Sequence, residues 1–349
     1  GRKLLNLNKM KLLIITQKVD KNDDNLGFFH DWLKKLAGFA DINVIANYVG
    51  EYELPENVKV FSLGKEKGAG KIVKFLRYQW FLLKLLSKVD GVFFHMCPEY
   101  VIAAGFWPKI FKKKTLLWYT HKAVNWKLKL AEKLVDKIFT ASKESFRLSS
   151  KKVKVTGHGI DTEKFKPSEN IKNDSKFKII SVGRISPVKN YEIMINTAEI
   201  LKNGNFDFEV KIAGGAILES DKKYFEKLKE KIQEKKLEGK IIFVGSIPNK
   251  DIAKFYKEAN LFVNFSDTGS IDKAILEAMS SGLKVLTSNE AFKNILVEEN
   301  IVDKNPENIA NKIIFSAKNL SSSSPREYVV KNHNLDNLID KIIQRFKNG

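Results

Sequence analysis

Short apolar runs recur along the chain, and the intervals between them carry helical patterns. KLLIIT (11–16), INVIAN (42–47), VKVFSL (58–63), GVFFHM (91–96), KTLLWYT (114–120) and KIFTAS (137–142) are rich in Ile, Val and Phe. Runs apolar at nearly every position predict strands buried on both faces of a parallel sheet. Residues 26–38, 71–88, 99–111 and 127–135 space their apolar side chains as helices do. The rhythm resumes with KFKIISVG (176–183), FEVKIAGG (208–215), KIIFVG (240–245), LFVNFS (261–266) and KVLTS (284–288). Helical stretches at 190–203, 221–236, 249–259 and 271–281 separate these.

Two successive βαβ arrays imply an α/β protein of two doubly wound, Rossmann-like domains, because parallel strands need helical crossovers. The joint is expected near Pro167, in the polar, turn-prone FKPSENIKNDSK. That gives domains over residues 1–166 and 167–326. The serine run before Pro325 marks a second break, and residues 327–349 read as a final helix. Ligands of open α/β sheets sit beyond the strand carboxyl ends, so two domains facing each other would enclose a functional cleft.

Length agrees: 349 residues suit two domains at ~150 residues each. A single cysteine, Cys97, excludes an internal disulfide and a cysteine-built zinc site, so cytoplasmic residence is the expectation. No apolar stretch approaches the ~18 residues of a membrane-spanning helix. The opening GRKLLNLNKM is too short for a signal peptide, and Met10 reads as a natural start after an added or leader segment.

Charge changes the picture more. The net charge is +20, and residues 1–170 hold 32 basic against 17 acidic side chains, whereas the remainder holds 29 against 24. An excess gathered in one half points to an anionic partner, nucleic acid or a membrane surface; lysine-rich usage throughout is the alternative. No nucleic-acid recognition module accompanies the charge, so nucleic acid is not expected. KIVKFLRYQWFLLKLLSK (71–88) and FWPKIFKKK (106–114) mix aromatic and aliphatic residues with cations. Such segments either lie in an anionic membrane interface or pack on the sheet.

Two segments carry candidate chemistry. In SVGRISPVKN (181–190) a buried strand ends at Gly183, and Arg184 and Lys189 follow on the loop. Glycine permits close backbone approach, and a guanidinium with an ammonium suits a diphosphate; two solvated loop cations are the alternative. In NFSDTGSIDKAILEAMSSG (264–282) a strand runs through a turn into a helix whose first amides, near Ser270 to Lys273, form an anion site. Ser270, Ala274, Glu277 and Ser281 share one helical face, along which a nucleotide fits while Glu277 accepts hydrogen bonds from ribose.

GRISPVK followed ~90 residues later by LEAMSSGLKV resembles the retaining glycosyltransferases of family 4, which have the GT-B fold. FVGSI (243–247) before a helix ending in ANLFV (259–263), and GHGIDTEKF (157–165), add to the resemblance. It implies a retaining, metal-independent transfer of sugar from a nucleotide diphosphate sugar to a hydroxyl acceptor, a glycan or a lipid-linked one. Arg184 and Lys189 match the cations on the donor diphosphate, Glu277 the ribose-binding glutamate, and the backbone at Ile247 the loop receiving the base. Gly183, Gly269, Ser270, Ile271 and Lys273 complete the expected donor site, with Gly27 as the first domain's glycine loop. His121 matches the histidine that faces the transferred sugar, and the last helix is expected to cross back to the first domain. His30, His95 and Glu99 are candidates on the acceptor side, and His158 stands at the interdomain turn.

One position departs from the family. Where a second glutamate usually stands eight residues before Glu277, this chain has Gly269, with Asp267 and Asp272 nearby as substitutes. That departure keeps two alternatives open: a non-catalytic nucleotide-sugar-binding protein, and a nucleotide-sugar epimerase on the same fold. The five histidines are too scattered to hold a metal. No D-x-D triplet ends a strand, so neither a metal nor a cofactor beyond the donor itself is expected.

Overall fold

The computed structural model describes residues 9–168, 176–319 and 325–347. The expected opening segment, part of the polar joint and the serine run lie outside the described residues. The chain divides into two compact units, residues 1–159 with 335–349, and Ile160–Asn334.

The first unit begins with β1 (Met10–Val19), α1 (Phe28–Ala37), β2 (Ala40–Val49), β3 (Val58–Ser62), α2 (Lys71–Leu86) and β4 (Gly91–His95). It continues with α3 (Pro98–Ala104), α4 (Trp107–Ile110), β5 (Lys114–Trp118), α5 (Trp126–Leu134), β6 (Lys137–Thr140) and β7 (Val153–Val155). All pairings are parallel, in the order β3-β2-β1-β4-β5-β6-β7. Leu12 and Ile14 of β1 face α1 and the chain's last helix, whereas Leu13 and Ile15 face α2, α3 and α5. Both faces are therefore buried, which is why the strand sequence is apolar without alternation.

The second unit comprises β8 (Phe177–Val182), α6 (Tyr191–Asn203), β9 (Phe208–Ala213), α7 (Glu219–Glu234), β10 (Ile241–Gly245) and α8 (Ile252–Lys257). β11 (Leu261–Asn264), α9 (Lys273–Ser280), β12 (Lys284–Thr287), α10 (Pro306–Lys318) and α11 (Arg326–His333) follow. The sheet order is β10-β9-β8-β11-β12, again parallel. α6, α7 and α10 cover one face, and α8, α9 and α11 the other. The chain then enters α12 (Leu335–Lys347), whose Leu338, Ile342 and Phe346 join the first unit's core. Each unit is thus an α/β, doubly wound layer structure.

Three boundaries differ from expectation. The division falls at Gly159/Ile160, not near Pro167, because Phe165 is buried beside Tyr256 and Met279 of the second unit. The final helix is two helices broken at the extended Asn334, and only α12 belongs to the first unit. The helix expected over 99–111 is split at Gly105, whose φ of +57° ends α3.

Candidate functional site

In the second unit β8 lies between β9 and β11, and the chain leaves β8 and β11 toward opposite faces of the sheet. The carboxyl ends of such a strand pair form the crevice where open α/β sheets take ligands. The loops carrying Arg184, Lys189 and the Gly269–Lys273 turn are the ones that leave these two strands.

Glycine makes the first loop possible. Gly183 takes φ +153°, and a Cβ on Gly214 (φ +150°) would lie 2.0 Å from the Gly183 carbonyl oxygen. Backbone N–H groups of Gly183, Ile185 and Gly214 donate to the carbonyls of Ala213, Gly215 and Gly245 at 2.9, 3.0 and 2.9 Å. The ends of β8, β9 and β10 are thereby bound edge to edge, and the half-buried Ile247 follows directly after β10. The Tyr191 hydroxyl donates to the Gly183 carbonyl at 3.0 Å and steadies the same turn.

Lys189 reaches the α9 entrance. Its Nζ donates to Asp272 Oδ2 at 2.7 Å, with both side chains under 15% exposed. Asp272 caps α9 by accepting from the Ala274 N–H at 3.1 Å, and Asn264 Nδ2 adds a third donor at 3.2 Å. Burial opposes ionisation of this carboxyl, but the Lys189 charge and the hydrogen bonds hold it below the usual carboxylate range. A cation and a helix N-terminus therefore stand together, which is an anion-binding arrangement.

Glu277 sits one turn further along α9 and is 4% exposed. Its carboxylate accepts from the Tyr256 hydroxyl at 3.0 Å and pairs with Lys273. Burial and the adjacent carboxylate push the Tyr256 phenol well above its ordinary pKa, so it remains a donor. Asn289 Nδ2 donates to the Ser270 carbonyl at 3.0 Å and pins the turn before α9. Ile271 is buried in the core beneath α9.

Arg184 diverges from Lys189. Its Nε lies 3.6 Å from Oδ2 of the buried Asp221, which closes the α7 N-terminus by accepting from the Leu218 N–H. Gly269 adopts φ +57°, a left-handed conformation that disfavours a glutamate there. Of the two neighbouring carboxylates, Asp267 pairs with Lys304 and accepts from Asn190, and Asp272 is taken by Lys189. Tyr256, Asp221, Asn264 and Asn289 were not singled out from the sequence. Their partners stand 8 to 37 positions away, and no local pattern marks them.

In the first unit the equivalent crevice lies between the ends of β1 and β4. Gly27 is buried at the start of α1 with helical φ −56°, so its backbone does not require glycine. His30 is buried, and its Nε2 accepts from the Glu53 N–H at 3.1 Å, making it a brace for that loop. His95, a candidate on the acceptor side, does not reach the surface. It is 1% exposed, stacked on Phe29 at 3.8 Å, with Nδ1 3.0 Å from the Thr16 hydroxyl. Burial, with His158 nearby, lowers its pKa to about 3, so it is a neutral core ring. Glu99, by contrast, is exposed and ion-paired with Lys127 at 2.8 Å. His121 is exposed just beyond β5, with Nδ1 accepting from the Ala123 N–H at 3.1 Å. His158 is buried with its ring 5.7 Å from Trp118.

Comparison with known proteins bears on the family and the fold. The "Glycosyl transferases group 1" family model matches residues 161–334. The amylovoran biosynthesis glycosyltransferase AmsK of Erwinia amylovora is 31% identical over 158 residues, 44% of this chain and 37% of that protein. The UDP-Gal:alpha-D-GlcNAc-diphosphoundecaprenol alpha-1,3-galactosyltransferase of Escherichia coli is 28% identical over 212 residues, 55% and 53% of the two chains. The chain thus spans about a third to a half of the length of these curated relatives. Among solved structures, Anabaena HepE in complex with UDP and glucose superposes with TM-score 0.76 at 15% identity, covering 97% of this chain and all of that one. The fold is therefore shared with GT-B glycosyltransferases. The second structural unit, Ile160–Asn334, coincides with the stretch, residues 161–334, that the Glycosyl transferases group 1 family model matches.

Proposed function

We propose that the protein is a retaining, metal-independent glycosyltransferase that moves a sugar from a nucleoside diphosphate sugar to a hydroxyl acceptor, a glycan or a lipid-linked one. The observation that carries this reading is the union of Lys189, the capped α9 N-terminus and the buried Glu277 at one strand-end crevice. Lys189 would neutralise the departing diphosphate, Arg184 joining it only by leaving Asp221, and the α9 amides would add fixed dipoles where charge develops. Glu277, oriented by Tyr256, would accept the ribose hydroxyls, with Lys273 moving aside from its present pair. The acceptor oxygen bonds to the anomeric carbon as the carbon–phosphate oxygen bond breaks on the same face. Its proton passes to the leaving phosphate.

The name of the relative that acts on alpha-D-GlcNAc-diphosphoundecaprenol supports a lipid-linked acceptor, for which a cytoplasmic, membrane-peripheral setting is part of the proposal. No helix among the described residues is long and apolar enough to cross a membrane. Donor turnover across nucleoside diphosphate sugars, with product anomeric configuration read by NMR and with and without EDTA, tests the reading. Lys189→Ala is expected to lower kcat by about 10²-fold, the scale of losing one preorganised charge-stabilising donor. Transfer at the native rate by Lys189→Ala, or inversion in the product, would overturn it.

Gly269 favours a second reading, a nucleotide-sugar-binding protein without turnover, because both nearby carboxylates already have cationic partners. It expects thermal stabilisation by donor with neither transfer nor hydrolysis.

A further inference from the structure

The first unit carries an unpartnered surface outside the strand-end crevice. On α2, Tyr78, Leu82, Leu85 and Leu86 face the core, while Ile72, Leu76, Trp80 and Leu83 form a stripe on the other side, each more than 40% exposed. α4 extends the stripe, because Trp107 Nε1 donates to Gln79 Oε1 at 3.0 Å and Gln79 Nε2 donates to the Ala103 carbonyl at 2.8 Å. Phe106 and Ile110 are each 64% exposed beside it. Isolated exposed apolar side chains need no explanation, but a contiguous set of aromatics and aliphatics marks a contact surface.

Charge identifies the occupant. From Lys67 to Val89, and from Tyr100 to Ala131, the chain has no carboxylate, and both stretches are rich in Lys. Lys84 lies over the Trp80 ring at 4.6 Å and Lys109 over Phe106 at 6.0 Å, so the cations ride on the aromatics. At the C-terminal end of α2 a depression of about 580 Å³ is lined by Lys11, Lys59, Lys84 and Lys88, with Asp41 among them. A protein groove for this surface would have to supply apolar depth and a continuous rim of negative charge. An anionic bilayer supplies both: acyl chains for the rings, phosphate head groups for lysines that extend outward.

We propose that the α2–α4 face docks on an anionic lipid bilayer, with Trp80, Phe106 and Ile110 entering the interface and the flanking lysines at head-group level. The proposal does not depend on the sugar-transfer reading, since vesicle binding requires no turnover. Co-sedimentation of the full chain is measured with neutral phosphatidylcholine vesicles and with vesicles holding about 30% phosphatidylglycerol, at low and at high salt. Partition is expected to be at least about tenfold stronger on the anionic vesicles and to fall on adding salt.

Two variants separate the contributions. Leu76→Ser with Trp80→Ser and Ile110→Ser removes the apolar contact from exposed positions, so the melting temperature is retained while partition falls at least about tenfold. Lys71→Gln with Lys84→Gln and Lys109→Gln abolishes the preference for anionic over neutral vesicles. Absence of native binding to anionic vesicles would overturn the proposal, as would partition unchanged in the serine variant. So would loss of a dimer in that variant without vesicle binding by the native chain, which would make the face a self-association surface.

Discussion

Replacing Lys189 by Ala tests the α9 entrance as an electrostatic unit independently of any substrate. The Lys189 and Asp272 side chains are 14% and 12% exposed and meet at 2.7 Å. Removing one partner of a buried pair costs about 3–5 kcal/mol, because the other charge stays desolvated. Ala274 N–H and Asn264 Nδ2 still solvate Asp272, so the expected loss is near the lower end, about 3 kcal/mol. Asp272→Asn keeps a capping oxygen, and the double variant leaves no lone charge. Urea titrations of the four proteins should therefore give a coupling of about 2 kcal/mol or more. The pH dependence has a definite sign. The native carboxyl has a depressed pKa, so its contribution is complete above the unfolded value of about 3.9 and is lost as pH falls through the folded one. In Lys189→Ala burial prevails and raises that pKa, so protonation relieves the variant as pH falls. The stability gap between native and variant should be widest near pH 7 and narrow toward pH 4. Additivity within about 0.5 kcal/mol, or a gap independent of pH, would refute the reasoning.

The remaining expectations are briefer. Tyr256→Phe removes the hydroxyl that orients Glu277 and should cost about 1.5–3 kcal/mol in thermal or urea unfolding, with weaker donor binding by calorimetry. Gly214→Ala forces a Cβ to 2.0 Å from the Gly183 carbonyl and should abolish the folded second unit, read as loss of its cooperative melting transition. His121→Ala, at an exposed position, should change stability by less than about 0.5 kcal/mol while lowering sugar transfer, which separates a functional from a structural role. His95→Lys places an ammonium among Phe29, Trp32 and Trp118 and should prevent folding at neutral pH, checked by soluble expression and near-UV circular dichroism.

What was legible in the sequence follows the range over which each feature is determined. The parallel strands are visible because burial on both faces imposes a local rule: Leu12 to Ile15 face two different cores, so every position must be apolar. β7 was missed because Val153–Val155 sits at the sheet edge, where half-exposed positions admit lysine. α10 was missed too, although Asn305 caps it and Pro306 opens it, both recognisable start signals. The single helix expected over 327–349 is interrupted at Asn334, where the backbone becomes extended.

Site residues divide along the same line. Lys189 and Glu277 stand in short motifs set by loop and helix geometry, whereas Tyr256 matters through a hydroxyl that meets Glu277 across 21 positions. His95 shows the opposite error. It ends an unbroken apolar run, GVFFH, in which every residue is buried, and that run was itself the signal that the ring belongs to the core. A polar residue inside a doubly buried strand is held by its packing before its chemistry: here Phe29 and Trp118 stack on the ring and Thr16 meets Nδ1, while the buried Nε2 has no hydrogen-bond partner among the described residues. Lys189 differs because its partner, Asp272, is itself the cap of a helix whose amides point outward. An incoming phosphate would compete with Asp272 for Lys189, so donor affinity depends on how readily that pair opens, and the same variants that measure the pair measure the site.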